Sequence, residues 1–105
     1  MELPNAITLA ALQNHIRAKD HNPEAREAYF LKLVEEVGEL AEVLLAGHRM
    51  EDAASIKGTL EEELYDVLYY VAALANIYDI DLETCCRLKE EINLRRYGMD
   101  RPLGS

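Results

Sequence analysis

Apolar residues recur along the chain at the three- to four-residue spacing of amphipathic helices, and no segment alternates apolar and polar residues as a half-buried strand would. Glycine and proline, which interrupt helices, occur mostly at the ends of these periodic segments. The pattern predicts an all-α protein with four main helices over about residues 8–19, 22–46, 59–78 and 81–97. One further helical turn is predicted within residues 51–56.

The ends of these helices are predicted from residues that cap or stop a helix. Side chains suited to an N-cap begin the first, second and fourth segments: Thr8, Asn22 and Asp81. Thr59 and Glu62 have the spacing of a capping box, in which each side chain satisfies a backbone N–H of the other residue. Gly47 and Gly98 follow the second and fourth helices and predict their C-terminal ends.

The length and composition indicate one soluble domain. The 105 residues suffice for one small domain, which we expect over residues 1–98, with a flexible tail over residues 99–105. Half of the chain is hydrophobic and 30% is charged, which fits a buried core and argues against a membrane protein. The formal net charge of −9 argues against binding to a nucleic-acid polymer, because a phosphate backbone requires a basic surface.

The N-terminus and the cysteines indicate the compartment. We expect no export signal, because residues 1–12 lack a basic and apolar leader. Cys85 and Cys86 are adjacent and cannot link distant segments, so we predict reduced, buried thiols. These features together predict a cytoplasmic protein.

Four acidic residues fall on or beside the apolar faces of the two central helices. Glu63 and Asp66 lie within the apolar stripe of the third helix, and Glu36 and Glu39 lie at the edge of the stripe of the second. A buried carboxylate requires a cation, a proton or a metal, yet residues 60–86 contain no basic side chain. Carboxylate pairs at this spacing on two facing helices offer the oxygen ligands that Mg²⁺ prefers, with Mn²⁺ as a substitute.

Other metals and other interpretations fit less well. A di-iron bundle would place a histidine three residues after a glutamate, and no such Glu-x-x-His occurs. The three histidines also lack the mutual spacing of a zinc site. The alternative is a solvated acidic face. From the residues alone we favour it for the remaining glutamates of the two helices: Glu35, Glu42, Glu61 and Glu62.

The fourth helix presents a polar stripe formed by Lys89, Asn93 and Arg96. Two positive charges and an amide on one face suit a phosphate chain. Taken alone, the stripe is more typical of an exposed helix face that pairs with Glu90 or Asp100. Beside a carboxylate–metal cluster, phosphate binding becomes the better interpretation.

Two sequence segments resemble the signature EExxE…ExxD of the MazG-like nucleotide pyrophosphohydrolases, which belong to the all-α nucleoside-triphosphate pyrophosphatase superfamily. The segments are Glu35-Glu36-Val37-Gly38-Glu39 and Glu63-Leu64-Tyr65-Asp66. The resemblance extends over residues 28–98 and includes the sequences LVEEVGELAEVLL, EEELYDVLYYVAALA and KEEINLRRYG.

The resemblance implies a Mg²⁺-dependent hydrolysis of a nucleoside triphosphate, ribo or deoxy, to the monophosphate and pyrophosphate, with a role in cleansing the nucleotide pool. By position it implies that the metal ligands are Glu36, Glu39, Glu63 and Asp66. Glu35 would complete the catalytic set by holding a second metal or orienting the attacking water. The resemblance implies that Lys89 and Asn93 contact the phosphates or the sugar, and we add Arg96 of the same stripe to the substrate-binding set. Tyr70 shares the helix face of Glu63, so we expect it to pack on the sugar.

Two alternatives remain at this stage. Phosphoribosyl-ATP pyrophosphohydrolase, a related branch, shares the acidic spacing, and a non-catalytic helical interaction module could retain the bundle without the chemistry. We expect a homodimer or homotetramer in either case, because the third helix is apolar around its whole circumference between Leu64 and Ile77 apart from Asp66. The resemblance implies an oligomer as well.

Overall fold

The computed structural model describes residues 3 and 5–97, and within them the chain is all-helical. Four α-helices follow one another: α1 over Leu9–Lys19, α2 over Arg26–Ala46, α3 over Leu60–Ile77 and α4 over Leu82–Tyr97. Short 3₁₀ turns at Pro23–Ala25 and Ala53–Ser55 lie before α2 and α3. The all-α prediction and its four main helices are confirmed, while Gly98 and the predicted tail lie outside the described residues.

The helix ends follow the capping residues, with one correction. The Thr8 hydroxyl accepts the N–H of Ala11 at 3.0 Å, and Gly47 ends α2 in the left-handed conformation with φ of 74°. Thr59 accepts the N–H of Glu62 at 3.3 Å, as expected. The reciprocal half of the predicted capping box is wrong, because the Glu62 carboxylate reaches one residue further back and accepts the N–H of Gly58 at 2.8 Å.

The second helix begins later than its sequence suggests. Residues after Asn22 first form the 3₁₀ turn, and α-helical geometry starts at Arg26. Asn22 makes no capping bond, because its side-chain amide donates to the Tyr29 hydroxyl at 3.0 Å instead. The segment that joins α1 to α2 is therefore fixed by a tertiary hydrogen bond.

The hydrophobic core lies where α1 and α2 pack against α3. Its buried members are Leu12, Ile16, Tyr29, Ala72 and Ala73. The two alanines of α3 are fully buried, and their small side chains allow α1 to approach the α3 backbone closely. α2 packs chiefly against α3, whereas α4 packs chiefly against α1.

A buried amide network fixes the start of α4. Gln13 of α1 donates to the Asn76 side chain at 3.0 Å and to the Ile80 carbonyl at 2.8 Å, and its own side-chain oxygen accepts the N–H of Leu82 at 3.0 Å. Asn76 donates in turn to the Gln13 carbonyl at 2.9 Å. Since these groups satisfy one another, the network ties α1 to the turn between α3 and α4 without a net charge.

The surface differs from the sequence expectation at the cysteines. Cys85 is exposed and Cys86 is partly buried, so the prediction of two buried thiols is wrong. Both lie on α4, whose limited packing leaves most of its circumference uncovered. In the described part of the chain, no helix combines the length and the apolar character needed to cross a membrane.

Candidate active site and metal centre

The carboxylates of the acids on α2 and α3 form one cluster between the two helices. Carboxylate oxygens of Glu36, Glu63 and Asp66 lie within 4.8 Å of one another. A second group on α2, formed by Glu35, Glu36 and Glu39, meets the same distance. Glu36 belongs to both groups and lies at the centre, so the structure brings together all five predicted acids.

The two central carboxyl groups are buried. Glu36 is 9% exposed and Glu63 is 8% exposed, while Glu39 and Asp66 are half-buried and Glu35 is exposed. Within the described residues, one oxygen of Glu36 and one of Glu63, the Oε2 atom in each, is buried without a hydrogen-bond partner. Buried polar atoms normally have partners, so these two oxygens indicate a missing ligand.

The electrostatics of the cluster favour a proton or a cation. Burial, together with the neighbouring carboxyl groups of Glu63 and Glu39, raises the pKa of Glu36 to about 7. The pKa of Glu63 is also raised, first by burial and then by the charges of Asp66 and Glu39. Burial likewise raises the pKa of Asp66. Crowded carboxylates thus destabilise their own charged forms.

The nearest lysines lie at the edges of the cluster. Lys32 of α2 forms an ion pair with Glu35 at 3.5 Å, and Lys57 lies 3.9 Å from Glu62. Lys57 lowers the pKa of Asp66 only as the last of several influences, the rest of which raise it. In the described part of the chain, these lysines therefore pair with acids at the edges and leave the negative charge of Glu36 and Glu63 without an ion pair.

The cluster has the chemical character of a hard-cation site. All of its donors are carboxylate oxygens, which suit Mg²⁺ or Mn²⁺ and do not suit the softer metals that select sulfur or imidazole. A divalent cation would partner both orphaned oxygens and offset the repulsion among the acids. The residues present therefore fit such an ion, and those able to hold it are Glu36, Glu39, Glu63 and Asp66.

Tyr70 lies next to the cluster and lines a small cavity. Tyr70 follows Asp66 by one turn of α3, and Lys32 precedes Glu36 by one turn of α2, so both border the acids. The two side chains share a cavity of about 230 Å³ with residues from the α1–α2 connection, including Asp20 and Asn22. The sequence pattern assigned no role to Lys32 or to Asp20.

The hydrogen bond that Asn93 of the α4 stripe makes in the described chain goes to Glu90 of the same helix. Lys89 and Arg96 are exposed, and Asn93 is half-buried and donates to Glu90 at 3.4 Å. The principal influences on the pKa values of the cluster come from acids of α2 and α3 and from Lys57, and none comes from α4. The role of the stripe therefore stays a prediction from the sequence.

The glutamates assigned to a solvated face behave in two ways. Glu42 is exposed, as expected. Glu61 accepts hydrogen bonds from the Met50 N–H at 2.9 Å and from the Arg49 side chain at 2.7 Å, and these two contacts lower its pKa. Glu61 therefore anchors the connection between α2 and α3.

Comparison with known proteins agrees with this arrangement. Residues 24–95 match the family model of the MazG nucleotide pyrophosphohydrolase domain, and this range contains all five acids. The chain is similar to dCTP pyrophosphatase 1 of Bos taurus, with 38% identity over 80 residues, which is 71% of this chain and 47% of the relative. The chain therefore spans about half the length of that relative.

Solved structures give a closer match in length. Two crystal structures of iMazG from Vibrio DAT 722 superimpose with TM-scores of 0.79 and 0.81, at 50% and 48% sequence identity. The first alignment covers 83% of this chain and 98% of the neighbour, and the second covers 89% and 100%. With the family match extending over more than half of its residues, the chain belongs to the MazG nucleotide pyrophosphohydrolase family.

Proposed function

We propose that this protein is a Mg²⁺-dependent nucleoside triphosphate pyrophosphohydrolase, which converts an NTP or dNTP to the nucleoside monophosphate and pyrophosphate. The observation that supports it most strongly is the pair of buried, partnerless oxygens of Glu36 and Glu63 at the centre of five acids. A binding module has no need for such a repulsive cluster. The similarity to dCTP pyrophosphatase 1 supports a deoxynucleoside triphosphate as substrate. The role that we propose is cleansing of the cytoplasmic nucleotide pool.

In this proposal, the metal ligands are Glu36, Glu39, Glu63 and Asp66. When bound there, Mg²⁺ would screen the phosphate charges, acidify a coordinated water and stabilise the leaving pyrophosphate. The four side chains would hold the cation between α2 and α3, because these two helices pack against each other. This charge balance also explains how a protein of net charge −9 binds a polyanion.

Glu35 is proposed to orient and deprotonate the attacking water. It lies beside Glu36 and is exposed, so water reaches it directly. Its Oε1 atom is held by Lys32 at 3.5 Å, which leaves the second oxygen available as a proton acceptor. Holding a second cation together with Glu36 and Glu39 is the alternative role for the same carboxylate.

The α4 stripe is proposed to bind the phosphate chain, and Tyr70 the sugar. Lys89 supplies a point charge, Arg96 a planar fork and Asn93 an amide, which together suit phosphate oxygens. A stripe on a largely uncovered helix can serve the acids of its own subunit or those of a neighbouring subunit. Substitution of Lys89 tests its role in both arrangements.

We propose further that the protein is a homodimer or homotetramer. Among the described residues, the buried hydrophobic core is small, and large apolar side chains are exposed on three helices. These side chains include Leu31, Val34 and Leu45 on α2, Leu64, Leu68 and Val71 on α3, and Leu88 and Ile92 on α4. Large apolar patches are rare on the surfaces of monomeric proteins, so we propose that a second copy of the chain covers these side chains.

The activity can be tested with a panel of ribo- and deoxynucleoside triphosphates, with and without Mg²⁺. We expect monophosphate and pyrophosphate in equal amounts, and only with the cation present. Phosphoribosyl-ATP belongs in the panel because its hydrolysis is the alternative enzymatic activity. Orthophosphate as the product, or no turnover of any triphosphate, would contradict the proposal, and Glu42→Gln serves as a control for an exposed acid outside the cluster.

A further inference from the structure

The first turn of α4 is joined to α1 by a reciprocal pair of hydrogen bonds. The Oε2 atom of Glu83 accepts the backbone N–H of Ala10 at 2.9 Å. In the opposite direction, the side-chain oxygen of Gln13 accepts the N–H of Leu82, the first residue of α4, at 3.0 Å. Each helix therefore supplies a side chain that satisfies a backbone N–H in the first turn of the other, where a helix lacks internal partners for these groups.

The bond between Ala10 and Glu83 also provides what the start of α1 lacks. The first turn of α1 contains no acidic residue of its own, and its N-cap Thr8 accepts the N–H of Ala11. A carboxylate near the N-terminus of a helix is stabilised by the helix dipole and by hydrogen bonds from the backbone. Glu83 brings such a carboxylate from α4, 73 residues away in the sequence, so the contact favours one position of α4 relative to α1.

The stripe of Lys89, Asn93 and Arg96 lies further along α4, beyond this attachment. Lys89 and Arg96 follow Glu83 by six and 13 residues, which corresponds to roughly 9 Å and 20 Å along the helix axis. The helix packs chiefly against α1. A tilt of about 10° at its first turn would move Arg96 by roughly 3 Å, which is more than a hydrogen bond tolerates.

Glu83 and the stripe face different sides of α4. Because successive residues of an α-helix are about 100° apart, Lys89 lies about 120° around the helix from Glu83. Glu83 is half-buried beside α1, and Lys89 is exposed. Glu83 can therefore hold the helix against α1 while Lys89 remains accessible to a substrate.

We propose that Glu83 is a positioning residue: its bond to α1 sets the direction of α4 and so places the stripe, Lys89 above all, where it binds the phosphate chain. This inference rests on the proposed function, in which the stripe contacts the triphosphate. Glu83 itself does not touch the substrate and acts through Lys89. Displacing a binding group by about 1 Å can lower a rate roughly a hundredfold, so a change in the direction of α4 should be visible in kcat/KM.

The first test is a double-mutant cycle on kcat/KM for a deoxynucleoside triphosphate. Glu83→Ala should lower kcat/KM roughly tenfold or more, whereas Glu83→Gln, whose amide oxygen still accepts the N–H of Ala10, should retain most of it. In the Lys89→Ala background, Glu83→Ala should lower kcat/KM only about threefold or less, because the contact through which Glu83 acts is already gone.

The control is Glu91→Ala, which removes an exposed acid from the same helix and should leave kcat/KM unchanged. Wild-type kcat/KM in Glu83→Ala would overturn the inference, and so would effects of Glu83→Ala and Lys89→Ala that simply multiply. An equal loss in Glu91→Ala would assign the effect to net charge and would also overturn it.

The second test measures the position of α4 and does not depend on turnover. Spin labels are attached to Glu42→Cys on α2 and Arg95→Cys on α4, both exposed positions, with Cys85 and Cys86 replaced by serine and the labelled chains diluted with unlabelled protein. Glu83→Ala should shift or broaden the distribution of distances between the labels by roughly 3 Å, and Glu83→Gln should leave it as in the wild type.

An unchanged distance distribution in Glu83→Ala would overturn the inference. If Glu83→Ala does not fold, Glu83→Asp replaces it in both tests, because its shorter side chain weakens the same bond and keeps the charge. No hydrolysis of any triphosphate by the wild type would overturn the proposed function, whereas the label distances would still show whether Glu83 sets the direction of α4.

Discussion

Replacing Glu63 by glutamine should remove the cation requirement of the cluster and stabilise the protein in the absence of metal. Burial and neighbouring carboxyls raise the pKa of Glu36 from 4.5 to about 7. The folded state therefore binds more protons than the unfolded state between these two pH values. The stabilisation that this proton confers is fully present below pH 4.5 and is lost as the pH rises through about 7.

The magnitude follows from the same shift. One pKa unit corresponds to about 1.4 kcal/mol, so metal-free wild-type protein should lose up to about 3 kcal/mol of unfolding free energy over this interval. Glu63→Gln keeps Glu36 buried but removes the adjacent charge, so this variant should lose less unfolding free energy over the same pH interval. At pH 8 the metal-free variant should be more stable than the wild type by roughly 1–2 kcal/mol.

The assay is thermal unfolding followed by far-UV circular dichroism from pH 4 to pH 9, with EDTA or Mg²⁺, at fixed protein concentration. One kcal/mol shifts the midpoint of a domain of this size by roughly 4–8 °C. Mg²⁺ should stabilise the wild type above pH 7 and the Glu63→Gln variant much less, while Glu42→Gln should behave as the wild type. A metal-free pH profile that is the same in wild type and Glu63→Gln would refute the reasoning.

Further predictions concern the stripe, the end of α2 and the exposed apolar face. Lys89→Ala should lower kcat/KM roughly ten- to a hundredfold. The control is Arg95→Ala, on the same helix and paired with Glu91, which should change kcat/KM little. Equal turnover of both variants and the wild type would show that the stripe is an exposed helix face without a role in binding. Gly47→Ala should lower the free energy of unfolding by roughly 1 kcal/mol because φ is 74°, although no atom lies within 4 Å of the added Cβ. Gly38→Ala, in the middle of α2, should raise it by roughly 0.5–1 kcal/mol, as measured by urea unfolding. Leu68→Lys should convert the oligomer to a species of 11.9 kDa by light scattering, and a wild type already of that mass would contradict the assembly.

Local sequence signals were sufficient for the helices and for the acids. Thr8 caps α1 and Gly47 ends α2 as their residue types dictate, because capping depends on contacts within one helical turn. The acids of α2 and α3 meet because their positions within apolar stripes require them to face the neighbouring helix. The spacing of the apolar residues thus predicts both the helix and the direction in which its side chains point.

Contacts between distant segments were not accessible from the sequence. The Asp20 carboxylate accepts hydrogen bonds from Tyr29 and Tyr69, which lie nine and 49 residues away in the sequence. Nothing in the local pattern indicates that these three side chains converge. The position of α4 depends on the amide network of Gln13 and Asn76, which sequence periodicity also does not encode. The exposure of Cys85 follows from that position, because α4 packs on one side only.

The most direct test of the central claim is phosphorus NMR of the products formed from a single deoxynucleoside triphosphate by wild type and by Glu36→Gln, each with Mg²⁺ and with EDTA. The account predicts equimolar monophosphate and pyrophosphate from the wild type with Mg²⁺, and neither product from the other three samples, because Glu36 is shared by both groups of acids. Diphosphate with orthophosphate as the products, or pyrophosphate formed by Glu36→Gln at the wild-type rate, would contradict it.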